Sequence, residues 1–165
     1  MNERAQKIVD VINDVIDDKD VQAGFPDANG NTNVTWCNRA LHRMLTMLGG
    51  KADLLLEPRG INWTNANAMV KNARVKAKRI IDGKEAQLRA NAGELVAVVA
   101  PNNNGPGHVA LVCPDEEEEY SEAKGVLIGQ AGTRCGIMRL RNGFAHLTPT
   151  VEFYFIPYNT DGYSA

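Results

Sequence analysis

The stretch GELVAVVAPNNNGPGHVALVC (residues 93–113) holds two short apolar runs on either side of a loop rich in asparagine, glycine and proline. The runs ELVAVVA (94–100) and HVALVC (108–113) are bounded by turn-forming residues, which predicts two buried strands. Two later runs, GVLIGQ (125–130) and VEFYFIP (151–157), have the same character. The second half of the chain is therefore predicted to contain four strands.

Apolar residues at helical spacing precede these strands. A first amphipathic helix is predicted from the positions Ala5, Ile8, Val9, Ile12, Val15 and Ile16. A second begins at Cys37 and ends at the glycine pair 49–50. Thr64 is predicted to cap a third helix, and a fourth, shorter helix spans about 84–91. A run of helices followed by a run of strands predicts an α+β fold with an antiparallel sheet.

Composition limits the classes of function. With 165 residues, of which 44% are hydrophobic, the chain suits one compact domain over 1–165. A net charge of −2 argues against nucleic acid or an anionic membrane as the main partner. The apolar runs are too short to span a bilayer. The segment MNERAQKIVDVINDVIDDKD (1–20) is charged throughout, so we expect no secretory signal peptide and synthesis in the cytoplasm.

Cys37 lies in the first turn of the second predicted helix. Backbone N–H groups and the positive end of the helix dipole favour a thiolate there, which predicts a nucleophile. The alternative is a small buried residue on the inward face of the helix. Cys113 and Cys135 show neither disulfide nor zinc spacing and are expected to be buried or incidental thiols.

His108 opens an apolar strand directly after the asparagine-rich loop. A nucleophilic cysteine needs a base within hydrogen-bond reach, and a helix N-terminus packed against a strand end supplies that geometry. His108 is therefore the candidate base. His42 and His146 are expected to be structural.

Strand pairing suggests a third residue. If the strands at 108–113 and 125–130 form a hairpin across PDEEEEYSEAK (114–124), pairing Cys113 with Gly125 places His108 opposite Gln130. The Gln130 amide could then accept an N–H from the imidazole and orient the ring. The alternative is that Gln130 only ends a strand.

These residues carry a family resemblance. WCNRAL (36–41) at the start of a helix, followed by GHVALV (107–112) at the start of a strand, resembles the NlpC/P60 and CHAP superfamily of papain-like cell-wall hydrolases. The resemblance implies a papain-like (NlpC/P60-type) fold over roughly 20–157, with N-terminal helices packed on a small antiparallel sheet. It also implies hydrolysis of an amide bond of peptidoglycan, with Cys37 as nucleophile, His108 as base and a polar residue on the next strand, and without a cofactor.

Two neighbours of the thiol, Trp36 and Asn38, are candidate substrate-binding residues, although a packing role for Trp36 is equally open. The loop DANGNTN (27–33) is rich in oxygen ligands, but Asp27 is its only carboxylate. Hard cations prefer more negative charge, so we expect Asx turns there and no metal site.

Peptidoglycan lies outside the cytoplasm, so a chain without a signal peptide needs a delivery route to the cell wall. A phage lysis system, a phage particle or a contact-dependent secretion apparatus would supply one, and its component or an immunity protein is an expected partner. Two alternatives remain open: a papain-like protease or acyltransferase with a substrate other than the cell wall, and a catalytically inactive binding domain of the same fold.

Overall fold

The two runs that open the sequence analysis form the centre of a six-stranded antiparallel sheet. We describe the fold from a computed structural model, over residues 1–29 and 36–159. The strands in this part of the chain are β1 (Lys78–Ile80), β2 (Leu95–Ala100), β3 (His108–Val112), β4 (Leu127–Gln130), β5 (Gly136–Arg139) and β6 (Glu152–Ile156). Their order in the sheet is β1-β6-β2-β3-β4-β5, and every neighbouring pair is antiparallel.

Helices cover both faces of this sheet. The α-helices of the described residues are α1 (Glu3–Ile16), α2 (Cys37–Met47), α3 (Ala66–Lys76), α4 (Gly83–Asn91) and α5 (Leu140–Phe144). Short 3₁₀ helices lie at Lys19–Val21, Ala52–Leu55, Ile61–Trp63 and Ala145–Thr150. The α+β class predicted from the sequence is confirmed.

The alternation of side chains along β2 and β3 divides the core in two. Val99 and Val109 point to the face that packs against α1, α2 and α3. Val98 and Ala110 point to the opposite face, which packs against α4 and α5. All six residues of β2 are buried, because both faces of the central strands are covered. This is why the two runs are continuously apolar and do not alternate with polar residues.

Each of the four predicted strands and four predicted helices is present. Two further strands, β1 and β5, were not predicted. Both are short and lie at the edges of the sheet, where side chains remain partly exposed and no apolar run marks the strand.

The predicted cap of the third helix is wrong by one residue. Asn65 caps α3 by accepting a hydrogen bond from the backbone of Ala68. The Thr64 hydroxyl is engaged in the preceding turn, where it donates to the Gly60 carbonyl and accepts from the Glu57 amide. A hydroxyl held in that turn is not available to the helix.

The predicted register of the β3–β4 hairpin is also wrong. Leu111 is opposite Gly129, and the backbone N–H of Cys113 donates to the carbonyl of Leu127, where the prediction placed Gly125. Gly125 instead donates its own N–H to Ser121 and closes the connecting loop. The error is two residues, so each side chain of β4 stays on its predicted face of the sheet.

No helix within residues 1–29 and 36–159 is both long and apolar enough to cross a membrane. In the predicted Asx-turn loop, the backbone N–H of Asn29 donates to the Asp27 carboxylate at 2.8 Å, which is an Asx turn. The remainder of that loop, 30–33, lies outside the described residues. The described residues contain no group of three or more His, Cys, Asp or Glu side chains arranged to hold a metal ion.

Candidate active site

Cys37 is the first residue of α2, as predicted, and Trp36 precedes it with a non-helical backbone. The side chain packs at the end of the helix against β3, and its accessible fraction is only 5%. Its thiol accepts hydrogen bonding from the backbone of Val109, the residue that follows His108. The start of the helix is thus fixed against the start of the strand.

The ionisation of Cys37 differs from the prediction. Burial raises the pKa of the Cys37 thiol above its usual range. Hydrogen bonding from the backbone at Val109, Asn38 and Cys37 lowers this pKa but does not offset the loss of solvation. The expectation of a thiolate stabilised at the helix N-terminus is therefore wrong, because desolvation outweighs the backbone N–H groups. The resting group is a thiol.

Gly107 allows the chain to turn tightly into His108. A Cβ at this position would lie 2.7 Å from the carbonyl oxygen of Ala100 and 2.6 Å from the Oδ1 of Asn67. Both distances are shorter than any normal contact, so only glycine fits between β2 and α3 here. The glycine of the GHVALV motif has a steric reason in this fold.

The loop before His108 is held by the side chain of Asn67. Its Nδ2 donates to the carbonyls of Asn102 (3.3 Å) and Gly105 (3.1 Å), and its Oδ1 accepts from the backbone N–H of Asn102 at 3.0 Å. One amide on α3 therefore fixes both ends of the asparagine-rich loop. The position of His108 at the start of β3 depends on this loop.

Gln130 contacts the imidazole of His108. The Nε2 of His108 lies 2.6 Å from the Oε1 of Gln130. The Nε2 of Gln130 donates to the carbonyl oxygen of Arg134 at 3.2 Å. A carbonyl can only accept, so the amide nitrogen must face Arg134 and the amide oxygen must face His108. His108 consequently carries its proton on Nε2, and its Nδ1 is the basic nitrogen.

Phe144 and the surrounding core set the ionisation of His108. The two rings meet edge to face, with centroids 4.5 Å apart at an interplanar angle of 65°. Burial lowers the pKa of His108 below its usual range, and the hydrogen bond to Gln130 raises it by a smaller amount. The imidazole is therefore neutral at pH 7 and can accept a proton.

Cys37, His108 and Gln130 line one cavity of about 600 Å³. The same cavity is lined by Arg134, Arg141 and His146. The structure thus brings together the three predicted catalytic residues, although the contact of His108 with Gln130 arises from a diagonal pairing across the two strands and not from direct opposition.

Trp36 and Asn38 lie at a different depression, which also includes Phe25 and Trp63. The indole N–H of Trp36 donates to the Phe25 carbonyl at 3.1 Å, and the Asn38 side chain donates to the Thr64 carbonyl at 2.7 Å. Neither residue lines the cavity of Cys37. Their role in substrate binding stays a prediction, and both have structural hydrogen bonds.

Several residues of the cavity were not predicted. His146, expected to be structural, lines it from the 3₁₀ helix Ala145–Thr150. Arg134 lies in the loop before β5 and Arg141 lies in α5, both within the segment 134–143. No regular period marks this segment, and its only signal was the density of basic and small residues in RCGIMRLRNG (134–143).

The two remaining cysteines differ in environment. Cys113 is buried, and burial together with the nearby Asp115 raises the pKa of its thiol to about 12. Cys135 is exposed. Neither residue lines the cavity of Cys37.

The arrangement provides a thiol, a neutral imidazole with a defined tautomer and an amide that holds the imidazole, all on one cavity. These groups can support nucleophilic attack on a carbonyl carbon with proton transfer to the histidine. No protein-family model matches the chain, and no curated protein is significantly similar to it.

Proposed function

We propose that this protein is a papain-like cysteine hydrolase that cleaves an amide bond. The observation that carries the proposal is the hydrogen bond from His108 to Gln130, which leaves the basic Nδ1 of His108 available beside the cavity that Cys37 also lines. The contact fixes the tautomer and holds the ring in one orientation, both of which a general base requires.

In the proposed reaction, the Sγ of Cys37 attacks the carbonyl carbon of the amide while the Nδ1 of His108 takes the thiol proton. The backbone N–H of Cys37 donates to the oxyanion of the tetrahedral intermediate. His108 returns the proton to the departing amine, and a thioester remains on Cys37. Water, deprotonated by His108, then releases the carboxylic acid and restores the thiol.

The ionisation of the two groups favours proton transfer during the attack over a preformed ion pair. Burial raises the pKa of the Cys37 thiol and lowers the pKa of His108. Both shifts favour the neutral pair in the free protein. Gln130 opposes part of the shift in His108, because its amide oxygen stabilises the charged imidazolium.

The proposed substrate is peptidoglycan, on the resemblance of WCNRAL and GHVALV to cell-wall hydrolases of the NlpC/P60 and CHAP type. The bond cleaved is either the amide between muramic acid and the stem peptide or an amide within the peptide. The proposed partners are a phage or secretion component that brings the protein to the wall, or an immunity protein.

The test is mass spectrometry of purified peptidoglycan after incubation with the protein, which reports both activity and the bond cleaved. We expect release of muropeptide fragments by the wild type and none by Cys37→Ala or His108→Ala. The thermal midpoint of each variant should stay within a few degrees of wild type, so that the loss is one of chemistry and not of folding. Release by Cys37→Ala at the wild-type rate would overturn the mechanism.

A second candidate is a non-catalytic binding domain of the same fold, which the burial and raised pKa of Cys37 favour. The third candidate is a papain-like protease or acyltransferase with a different amide or thioester substrate. Incubation with a panel of peptide amides and acyl thioesters distinguishes the three candidates. Turnover that requires Cys37 supports the hydrolase or transferase, and the absence of turnover on wall, peptides and thioesters supports the binding domain.

A further inference from the structure

The cavity of Cys37 and His108 is basic, although the chain as a whole is slightly acidic. The charged side chains that line it are Arg134 and Arg141, and no Asp or Glu of the described residues does so. The whole chain has 20 acidic and 18 basic residues, so a cavity lined by two arginines without a carboxylate departs from the average surface.

These two arginines lack acidic partners within the described residues. Arg134 donates one N–H to the Asn142 carbonyl at 2.8 Å. Arg141 forms no side-chain hydrogen bond or ion pair with any of the described residues. Other arginines of the fold are paired with carboxylates, among them Arg43, Arg74, Arg89 and Arg139. The unpaired donors at the cavity are therefore available to an anion.

The cavity also continues beyond the catalytic residues. Arg141, Ala145 and His146 line both the cavity of Cys37 and an adjoining one of about 710 Å³. The adjoining cavity is apolar over Leu140 and Phe153 and also includes the oppositely charged side chains of Glu122 and Lys124. Arg141 thus lies between the reacting groups and a second binding surface, where it would meet the part of an extended ligand next to the scissile bond.

We infer that Arg141, assisted by Arg134, binds a carboxylate of an extended peptide substrate and so selects substrates with a free carboxylate near the amide that is cleaved. This inference rests on the proposed function. A guanidinium presents N–H donors in a planar fork that matches the two oxygens of a carboxylate, whereas an uncharged carboxamide offers one acceptor and no charge.

The test measures binding separately from turnover. Isothermal titration calorimetry with the Cys37→Ala protein compares a muramyl pentapeptide that has free carboxylates with the same compound after conversion of its carboxylates to carboxamides. We expect the free carboxylate form to bind about tenfold or more tightly. In Cys37→Ala with Arg141→Gln the ratio of the two dissociation constants should fall toward one. Lys7→Gln, which removes the same charge from an exposed position on α1, should keep the ratio.

Salt dependence gives a second readout. The affinity of the free carboxylate form should weaken as ionic strength rises, and this dependence should be smaller in Arg141→Gln, because screening acts only on the charged pair. Equal affinity for the two forms, no binding of either, or an unaltered ratio in Arg141→Gln would each overturn the inference. If the protein distinguishes the two ligands in binding but the wild type shows no turnover, the carboxylate site is retained and the hydrolase proposal is rejected. If the wild type turns over substrate but binds both ligands equally, the hydrolase proposal is retained and the carboxylate site is rejected.

Discussion

The Nε2 of His108 lies 2.6 Å from the Oε1 of Gln130, and this contact fixes which nitrogen of the imidazole is the base. The amide nitrogen of Gln130 in turn donates to the Arg134 carbonyl, which orients the amide oxygen toward the ring. Two successive hydrogen bonds thus connect the loop between β4 and β5 to the proposed base, and each of them can be broken separately.

Removal of the amide at Gln130 should slow the reaction without abolishing it. Gln130→Ala leaves nucleophile and base in place but frees the imidazole to rotate and to change tautomer. We expect kcat/KM on peptidoglycan to fall by roughly ten- to a thousandfold, about 1.4 to 4 kcal/mol of barrier. The loss should be smaller than that of His108→Ala, measured in parallel.

Ile128→Ala is the matched control, since Ile128 lies on the same face of β4 two residues earlier and packs in the core. It should lower the free energy of unfolding by about 2 to 5 kcal/mol and spare the chemistry of the folded fraction. If Gln130→Ala retained full activity, the orienting role would be wrong, and the next candidate would be Asn102, which lines the same cavity.

The pH dependence of activity follows from the pKa of His108. The reaction needs the neutral imidazole, and burial lowers the pKa of His108 below its ordinary value of 6.5. The acid limb of kcat/KM should therefore have its midpoint below pH 6.5, and activity should rise with pH through it. NMR titration of the His108 ring in the free protein should give the same midpoint. A midpoint above 6.5 would contradict a buried neutral base.

Stability should depend on the same ionisation. The unfolded chain binds a proton to this histidine near pH 6.5, whereas the folded protein binds it only at lower pH, so folding is favoured above pH 6.5 and weakened as pH falls toward the folded pKa. Between pH 7.5 and 5.5 the free energy of unfolding from urea titration should decrease by up to about 1.4 kcal/mol more in wild type than in His108→Asn. His42, whose pKa is also lowered by burial, is present in both proteins and cancels.

Much of the fold was predictable because the strands at the centre of the sheet are buried on both faces. Leu95 to Ala100 must be apolar throughout, and such a run stands out in a sequence. The edge strands β1 and β5 have partly exposed side chains and depend on their neighbours for pairing, so nothing local marks them. The register of the β3–β4 hairpin depends on how the connecting loop closes, through the hydrogen bond from Gly125 to Ser121. The sequences of the two strands carry no information about that closure.

The candidate site was predictable to a different extent. Cys37 and His108 each stand at the first position of an element, where local signals are strong. The contact of His108 with Gln130 was predicted from a β3–β4 register that is wrong by two residues. It occurs nevertheless, because a shift of two residues leaves each side chain of β4 on the same face of the sheet. The ionisation of Cys37 could not be predicted, since it depends on how completely the fold removes water from the thiol.

The reactivity of the three thiols should follow exposure and not the position of Cys37 on its helix. Cys135 is exposed, Cys37 is buried with a raised pKa, and Cys113 is buried with a pKa near 12. Iodoacetamide at pH 7 should label Cys135 first, and labelling of Cys37 should accelerate toward higher pH. Peptide mass spectrometry of a time course gives the three rates.

His108→Ala provides the control for this experiment. If His108 assists proton removal from the thiol, its loss should slow the labelling of Cys37 and leave that of Cys135 unaltered. Rapid labelling of Cys37 near pH 6, ahead of the exposed Cys135, would show instead that the free protein holds a thiolate, contrary to the raised pKa.

Gly143 should be essential for the orientation of Gln130. A Cβ added at Gly143 would overlap the Oε1 of Gln130 and would lie 2.6 Å from the Cδ1 of Ile128. Gly143→Ala should therefore displace the Gln130 amide and lower kcat/KM about as much as Gln130→Ala does. Because both changes break the same contact, the double variant should be little slower than either single variant.

Gly105→Ala is a suitable control in the loop before His108, since its Cβ would meet only the Nδ2 of Asn102, at 3.4 Å. Full multiplication of the two rate losses in the double variant would mean that Gly143 acts on the reaction by a route other than Gln130.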